Sequence, residues 1–215
     1  MRAFTAILFD FDGTLADSYA AIAASVNYVR ALSAMDPLDE ATVRGLVGHG
    51  LQQLMASVVP GQPAEVTTAQ YTEHHPRVMT SHTRLLPGVS HVLPILRERG
   101  IRLGVCSNKP VAFTQSLCES LGLTQYMEVI TGPETCGHAK PNPAMLLYAA
   151  GALGASPVNT LYVGDMVVDI QTARAAGMSV YVVPTGSHSR ETLLEAEPDR
   201  LMESMVELVQ DLPSR

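Results

Sequence analysis

Five short runs of apolar, often β-branched residues alternate with helix-length segments along most of the chain. The runs are TAILFD (5–10), IRLGVCSN (101–108), MEVITG (127–132), TLYVGD (160–165) and SVYVVP (179–184). After the second run, the intervening segments have the length and apolar pattern of helices. Nearly continuous apolar strands joined by helical crossovers are typical of a parallel sheet that is covered on both faces. The sequence therefore predicts an α/β fold.

The interval between the first and second runs has a different character. It contains three helical patterns, YAAIAASVNYVRALS (19–33), GLQQLMASVV (50–59) and AEVTTAQYTEHH (64–75), and no convincing strand. A crossover of this length is far longer than an ordinary loop. We therefore expect a Rossmann-like parallel-sheet core, residues 1–15 and 85–215, with an inserted all-helical domain, residues 16–84.

Prolines and the C-terminal segment give further expectations. Pro76 should break or kink the last inserted helix, because proline lacks the donor that a helix interior needs. In LLPGVSHVLPILRERG (85–100), Pro94 predicts a kink or a helix start later than the apolar pattern suggests. The segment PDRLMESMVELVQDL (198–212) is typical of a closing amphipathic helix.

Composition excludes several classes of partner. The chain carries 14 Lys and Arg against 21 Asp and Glu, a net charge of −7, and its basic residues form no run. This argues against a nucleic acid and against an anionic membrane surface. No apolar segment is long enough to span a bilayer, and the N-terminus lacks the features of a secretion signal. We therefore expect a cytoplasmic protein, either a monomer or a homodimer.

The cysteines agree with that location. Cys106, Cys118 and Cys136 are odd in number and form no CxxC pair, so they are interpreted as free thiols in a reducing compartment. Cys106 lies in a predicted strand and is expected to be a buried thiol without a chemical role.

Polar side chains follow the strands at the points where the strands end. Asp10 is the last residue of the first run, Ser107 and Asn108 end the second, and Asp165 ends the fourth. Asp169 comes four residues after Asp165. In open parallel sheets the ligand crevice lies outside the carboxyl ends of the strands. Lys140 precedes another helix in a loop that ends at the same edge. The sequence thus predicts a site that gathers carboxylates, a hydroxyl and an ammonium group.

Asp10 and Asp12 define the chemistry of this site. Residues spaced by two in an extended chain point to the same side, and two such carboxylates repel unless a cation lies near them. Oxygen ligands without His or Cys favour Mg²⁺, with Asp10 and Asp165 as the best ligands and Asp169 in support. A carboxylate beside a metal and a lysine is a plausible nucleophile towards phosphorus, and Asp12 could then act as acid and base.

Four motifs in this order resemble those of the haloacid dehalogenase superfamily of phosphohydrolases: DFDGT (10–14), CSN (106–108), KPNP (140–143) and GDMVVD (164–169). The resemblance implies that Asp10 forms an aspartyl-phosphate and that Asp12 is the general acid and base. It also implies that Ser107 and Lys140 hold the phosphate and that the inserted helices form a cap.

The remaining assignments follow from the same motifs. Gly13, Thr14 and Asn108 join the candidate phosphate-binding residues, and the candidate metal set is Asp10, Asp12, Asp165 and Asp169. Met166 departs from the family, which usually has Ser or Thr at this position, and this change could alter metal or phosphate positioning. His138, close to Lys140, receives no assignment.

Several stretches are similar to bacterial phosphoglycolate phosphatases: DFDGTLADS, AAIAASVN, TVRGLVGHGLQQLM, TRLLPGV and SNKP. The resemblance implies a Mg²⁺-dependent phosphatase for a small phosphorylated metabolite, with 2-phosphoglycolate favoured. A phosphosugar phosphatase, a pyrophosphatase and a β-phosphoglucomutase-like enzyme share the same four motifs. A phosphoaspartate signalling domain and a catalytically silent binding protein are the alternatives from other classes.

The inserted segment offers two candidate substrate ligands. Arg44 would suit a substrate with a second negative group, and His49 lies in a glycine-rich bend, GLVGHG, that could close over the substrate. A histidine such as His49 is more often a surface residue than a substrate ligand, and an arginine such as Arg44 is more often a solvated helix charge. His74, His75 and His82 are expected at the surface, because no Cys or Asp spacing supports a zinc site.

Overall fold

A computed structural model describes residues 4–211 and contains eight strands in that range. They are β1 (Ala6–Phe9), β2 (Ala16–Asp17), β3 (Arg84–Leu85), β4 (Arg102–Cys106), β5 (Met127–Thr131), β6 (Thr160–Gly164), β7 (Ser179–Val182) and β8 (Arg200–Leu201). Six of them form one parallel sheet in the order β5-β4-β1-β6-β7-β8. The five predicted strands and the parallel α/β fold are confirmed.

Eleven α-helices complete the described part of the chain. They are α1 (Tyr19–Leu32), α2 (Glu40–Arg44), α3 (Leu51–Val58), α4 (Ala64–His74), α5 (Val89–Glu98), α6 (Val111–Ser120), α7 (Pro133–Cys136), α8 (Ala144–Ala152), α9 (Val167–Ala175), α10 (Arg190–Glu195) and α11 (Glu207–Asp211). Short 3₁₀ helices span His75–Arg77 and Pro157–Asn159. Within this range, no helix is long and apolar enough to cross a membrane.

Strand β1 lies at the centre of the sheet, and Asp10 follows it directly. It pairs in parallel with β4 and β6, so that Phe9 lies opposite Val105 and Val163. All four residues of β1 are fully buried, and successive side chains enter the hydrophobic clusters on the two faces of the sheet. The strand is therefore anchored on both sides where it delivers Asp10 to the sheet edge.

The inserted segment leaves and rejoins the core at one place. Strands β2 and β3 pair antiparallel, with Ala16 opposite Leu85 and Asp17 opposite Arg84. Helices α1 to α4 lie between them, and no strand occurs between Asp17 and Arg84 in the described chain. Because the two ends lie side by side, the insertion does not interrupt the parallel sheet. The all-helical insertion is confirmed, whereas the domain boundaries remain a prediction, and residues 1–3 and 212–215 lie outside the description.

Pro76 acts as expected, whereas Pro94 does not determine where its helix starts. Helix α4 ends at His74, and Pro76 lies in the 3₁₀ turn that follows. Helix α5 starts at Val89, later than the apolar pattern suggests, after Gly88 in a left-handed conformation with φ of 86°. Pro94 is accommodated inside that helix.

The predicted closing helix over 198–212 is wrong in its first half. Residues Arg200–Leu201 instead form β8 at the sheet edge, and only Glu207–Asp211 are helical, with Leu212 outside the described residues. The backbone N–H of Met202 donates to the Val182 carbonyl at 2.8 Å. Pairing with the otherwise open edge of β7 satisfies backbone groups on both strands, and this tertiary gain outweighs the local helical pattern.

Candidate active site

Three buried carboxylates meet at the carboxyl ends of β1 and β6. Asp10 follows β1, Asp165 follows β6, and Asp169 lies in the first turn of α9. Each offers an oxygen atom, and these three atoms lie within 4.8 Å of one another. Neighbouring parallel strands thus bring together residues that are more than 150 positions apart in sequence. Three like charges at this separation require compensation by cations.

Lys140 supplies part of that compensation. Its Nζ lies 2.9 Å from Asp10 Oδ2 and 2.7 Å from Asp169 Oδ1, and it donates to the Tyr162 hydroxyl at 2.9 Å. Burial by itself would lower the pKa of Lys140, but the Asp10 and Asp169 carboxylates raise it above its ordinary value. The lysine is therefore a permanent cation beside Asp10.

One lysine does not balance three carboxylates. Burial is the main cause that raises the pKa of Asp165, and the nearby Asp169 and Asp10 charges add to it. Burial also raises the pKa of Asp169, although Lys140 opposes that rise. Both shifts arise mainly from burial, and the neighbouring carboxylates add to them.

Hydrogen bonds fix the carboxylates in place. Asp169 Oδ2 accepts from the backbone N–H groups of Asp165 and Met166, both at 3.0 Å, as in one half of a helix capping box. Thr14 donates its hydroxyl to Asp165 Oδ1 at 2.9 Å. Gly13 has φ of 80°, and a Cβ atom there would lie 2.5 Å from Asp165 Oδ2. The predicted Gly13 and Thr14 thus position a carboxylate, since one allows its close approach and the other bonds to it.

Asp12 lies apart from the three-carboxylate cluster. Lys109 Nζ lies 3.1 Å from each of its carboxylate oxygens, and Ser18 donates its hydroxyl to Oδ1. The structure therefore brings Asp10, Asp165 and Asp169 together as a possible metal site, whereas the Asp12 side chain is engaged with a second lysine.

Ser107 and Asn108 follow β4 and lie beside this site. Asn108 Oδ1 accepts from the backbone N–H of Lys140 at 2.7 Å, and Nδ2 donates to the Lys140 carbonyl at 3.2 Å. Asn108 Nδ2 also donates to the Gly48 carbonyl at 2.8 Å, which connects the sheet to the inserted segment. Asn108 is thus the side chain that holds the Lys140 loop.

A small cavity of about 50 Å³ lies between the sheet edge and the inserted helices. The sheet side contributes the polar wall, and the inserted segment contributes a mostly apolar wall that includes Ile22, Val47, Leu51 and Leu54. The polar residues on the sheet-side wall are Asp10, Asp12, Ser107, Asn108 and Lys109. The insertion therefore covers the carboxylates and leaves room for a small ligand only.

The two candidates from the insertion lie elsewhere. The Arg44 guanidinium stacks 4.1 Å above the Tyr19 ring centroid and lies 3.7 Å from Asp17 Oδ1, near the β2–β3 pair. His49 is exposed and lines a larger, open cleft beside the cavity. Neither residue borders the cavity, so their roles as substrate ligands stay predictions.

The expectation for His75 is wrong. Its side chain is fully buried between the rings of Tyr71 and Phe113, with centroid distances of 4.7 and 5.0 Å. The Nδ1 atom lies 2.9 Å from Ser25 Oγ. Tyr71 lies four residues earlier in α4, but Phe113 comes from α6 of the core, so the local sequence did not show that the core covers His75. His82 and His138 are exposed, and His74 is half-buried.

The cysteines match their interpretation. All three are free thiols, and Cys106 is buried in β4, where burial raises its pKa to about 12. A thiol with so high a pKa is protonated and unreactive at neutral pH.

Three residues of the site were not predicted. Lys109 stands in the SNKP stretch directly after Ser107 and Asn108, which was a usable signal. Tyr162 stands in the strand run TLYVGD, and its hydroxyl donates to the Cys106 carbonyl at 2.8 Å. Tyr71, which borders the cavity from α4, had no signal because aromatic residues are common on buried helix faces.

Comparison with known proteins agrees with this architecture. A family described as haloacid dehalogenase-like hydrolase matches residues 7–183. Because this match spans most of the chain, the protein belongs to that family, and the family prediction is confirmed.

Two related proteins and one solved structure are similar to this chain over most of its length. A phosphoglycolate phosphatase from Rhodospirillum rubrum is 34% identical over 197 residues, which cover 86% of this chain and 81% of that protein. One from Mesorhizobium japonicum is 32% identical over 216 residues and covers 97% and 95% of the two chains. The crystal structure of a predicted phosphoglycolate phosphatase from Haemophilus somnus matches with a TM-score of 0.91 at 25% identity, covering 98% of each chain.

Proposed function

We propose that this protein is a Mg²⁺-dependent phosphatase that hydrolyses a small phosphomonoester, with 2-phosphoglycolate as the favoured substrate. The observation that carries the proposal is the position of Asp10 on the cavity wall, with Lys140 Nζ 2.9 Å from its Oδ2 atom. Asp12 lines the same cavity. Asp10, with a lysine cation beside it, and a second carboxyl group thus border one small space.

The carboxylate cluster fits a magnesium ion. Asp10, Asp165 and Asp169 offer only oxygen atoms, which is the ligand type that Mg²⁺ prefers. The raised pKa of Asp165, caused first by burial and then by its acidic neighbours, is a sign of uncompensated negative charge. When bound there, Mg²⁺ would neutralise this charge and that of the phosphoryl oxygens.

The protein side chains would carry out the reaction in two steps. A carboxylate oxygen of Asp10 attacks phosphorus and forms an aspartyl-phosphate, while the bond from phosphorus to the ester oxygen breaks. Asp12, when protonated, donates its proton to that leaving oxygen. Asp12 then removes a proton from water as the water oxygen attacks the same phosphorus, which releases phosphate and restores Asp10.

Ser107 and Lys140 would hold the phosphoryl oxygens during both steps. Lys140 is held by Asp10 and Asp169, so its charge stays fixed beside the proposed nucleophile. Preorganised charges of this kind are more effective in a site from which water is excluded. The inserted helices provide that exclusion as a cap over the cavity.

The choice of substrate is supported by size and by relatives. A cavity of about 50 Å³ suits a compound with few atoms besides the phosphate. The relatives from Rhodospirillum rubrum and Mesorhizobium japonicum are phosphoglycolate phosphatases. The proposal also places the protein in the cytoplasm, as a monomer or a homodimer acting on a diffusible metabolite.

The test is phosphate release from a panel of 2-phosphoglycolate, sugar phosphates, pyrophosphate and a nitrophenyl ester, with Mg²⁺ or with a chelator. We expect turnover with Mg²⁺ only, a preference for 2-phosphoglycolate, and loss of turnover in Asp10→Asn. Asp36→Asn, at an exposed position, is the matched control. Preference for a sugar phosphate or for pyrophosphate would assign that compound as the substrate in place of 2-phosphoglycolate. Absence of phosphate release from every compound would refute the proposal that the protein is a phosphatase.

A further inference from the structure

Lys109 is a buried cation for which the proposed reaction has no use. It follows Asn108, lines the cavity and is 8% exposed. Its Nζ lies 3.1 Å from both oxygens of Asp12. A lysine ammonium group has three donor hydrogens, and this carboxylate engages at most two of them. One donor therefore remains for a further acceptor.

Tyr71 brings a second donor to the same cavity from α4 of the cap. The residue is 3% exposed and borders the cavity. Its ring stacks on His75 at 4.7 Å, which fixes the direction of the hydroxyl. Among residues 4–211, that hydroxyl has no hydrogen-bond partner. Because Tyr71 borders the cavity, this hydroxyl is free to donate to a ligand acceptor there.

The surroundings of Tyr71 also favour a donor role for its hydroxyl. Burial raises the pKa of Tyr71, and the Asp12 charge raises it further, so the phenol stays protonated and can only donate to an anion. Asp12 is the shared neighbour of Tyr71 and Lys109. The two donors thus lie near the same carboxylate.

We propose that Lys109 and Tyr71 form a subsite for the carboxylate of the substrate, so that the enzyme selects a short phosphorylated hydroxy acid. This inference rests on the proposed function, in which Ser107 and Lys140 hold the phosphoryl group. Lys109 would then hold the second negative group of the same molecule. In the cavity without substrate, Asp12 takes the place of that carboxylate.

The pairing with Asp12 gives the subsite a second role. A substrate carboxylate that takes the remaining donor of Lys109 would draw the ammonium group away from Asp12, and Asp12 would then be available to face the leaving oxygen. A neutral compound of the same length leaves Lys109 bound to Asp12. Recognition of the carboxylate is thereby linked to the availability of the general acid.

The experiment compares 2-phosphoglycolate with 2-hydroxyethyl phosphate, which has the same length and no carboxylate. Lys109→Met should lower the ratio of the two kcat/KM values by about ten- to a hundredfold, the range for a hydrogen bond to a charged group. Tyr71→Phe keeps the ring and should lower the ratio by about five- to tenfold. Lys109→Arg keeps the charge and should retain most of the ratio.

Each outcome is decisive. A ratio that falls in Lys109→Met and Tyr71→Phe, with thermal midpoints close to that of the native protein, supports the subsite. Equal loss for both substrates would overturn it and would mean that Lys109 only positions Asp12. An unmodified enzyme that hydrolyses both compounds without preference would also overturn it, while leaving phosphatase activity intact.

If the unmodified enzyme hydrolyses neither compound, 2-phosphoglycolate fails as the substrate, the wider panel decides on phosphatase activity, and binding decides the subsite. Calorimetric titration with 2-phosphoglycolate and with inorganic phosphate then separates the two groups. Weaker binding of 2-phosphoglycolate alone in Lys109→Met would support the subsite. Equal binding by the variant and the unmodified protein would overturn it.

Discussion

Asn108 Nδ2 donates a hydrogen bond to the Gly48 carbonyl at 2.8 Å, and this bond joins the end of β4 to the glycine-rich bend of the cap. The same side chain accepts from the backbone N–H of Lys140 at 2.7 Å. Closure of the cap and placement of the Lys140 loop therefore depend on one amide group. A change at Asn108 should be felt in both places.

Asn108→Ala should lower kcat/KM by about tenfold and increase amide hydrogen exchange around Gly48. The variant removes a bond between cap and core and leaves the backbone of the Lys140 loop without its partners, at about 1–3 kcal/mol for the buried groups. Kinetics and exchange measured by mass spectrometry check both effects. Asn142→Ala, an exposed asparagine whose side chain also bonds to a backbone N–H, is the control. Unchanged exchange near Gly48 would contradict the expectation.

Gly48 and Met166 should be coupled. Gly48 has φ of 127°, and a Cβ atom there would lie 2.3 Å from Met166 Cε. Gly48→Ala should therefore lower kcat/KM, and adding Met166→Ala should restore the part of the loss that is due to the clash. A double-mutant cycle in kcat/KM should show a coupling of about 0.5–2 kcal/mol.

The control for this cycle is Gly61→Ala. Gly61 also has a positive φ, 86°, but no atom lies within 4 Å of the Cβ position. The Gly61→Ala variant introduces backbone strain without a new contact to a neighbouring side chain. It should therefore show no coupling to Met166→Ala. Strict additivity at Gly48 and Met166 would show that the contact has no influence on the reaction.

His75 should make the protein less stable in mild acid. Burial first, then the Lys109 and His74 charges, lower the pKa of His75 from 6.5 to about 2. Below pH 6.5 the unfolded chain binds a proton at His75 that the folded protein does not bind. The stabilising effect is thus complete above pH 6.5, and stability falls with decreasing pH by up to about 1.4 kcal/mol for each pH unit.

Denaturant unfolding between pH 7.5 and pH 5 measures this slope. His75→Phe should flatten it, because phenylalanine keeps the stacking with Tyr71 and Phe113 and cannot bind a proton. His82→Gln, at an exposed histidine, should leave the slope unchanged. Equal slopes in the native protein and in His75→Phe would mean that another group determines the pH dependence.

Magnesium should stabilise the fold. Asp10, Asp165 and Asp169 repel one another across distances below 4.8 Å, and a cation bound among them removes that repulsion. At about a hundredfold excess over Kd, the thermal midpoint should rise by about 5–10 °C. This readout does not depend on activity.

Asp165→Asn should change that response in a defined way. The variant removes one buried charge, so its midpoint without Mg²⁺ should be higher than that of the native protein, and added Mg²⁺ should raise it little. Asp36→Asn should respond as the native protein does. A full Mg²⁺ response in Asp165→Asn would exclude Asp165 as a ligand.

The sequence predicted the elements that repeat over many residues. Apolar runs of four or five residues were enough to locate the main strands, and Pro76 located the end of α4. The pairs β2–β3 and β7–β8 involve strands of two residues, which are too short to show any period. Their pairing depends on which chain segment reaches an open edge, and this is a property of the assembled fold.

The site shows the same division. The positions of Asp10, Lys140, Asp165 and Asp169 at the sheet edge followed from the sequence, because parallel strands end together wherever their carboxyl ends carry polar residues. The partner of Asp12 could not be predicted from the sequence. Lys109 is 97 residues away, and whether its flexible side chain turns to Asp12, to Asp10 or to solvent depends on distances of a few ångströms.

By itself, then, the sequence determined the strand order along the chain, the helical insertion and the identity of the acidic cluster, since these depend on periodicity and on local turn chemistry. Only the tertiary structure decided that His75 is buried, that Asn108 joins core and cap, and that Asp12 pairs with Lys109. The physical reason is the separation in sequence over which each kind of interaction acts. Hydrophobic periodicity acts between neighbours in sequence, whereas burial, ion pairing and close packing act between groups that become neighbours only when the cap lies on the sheet.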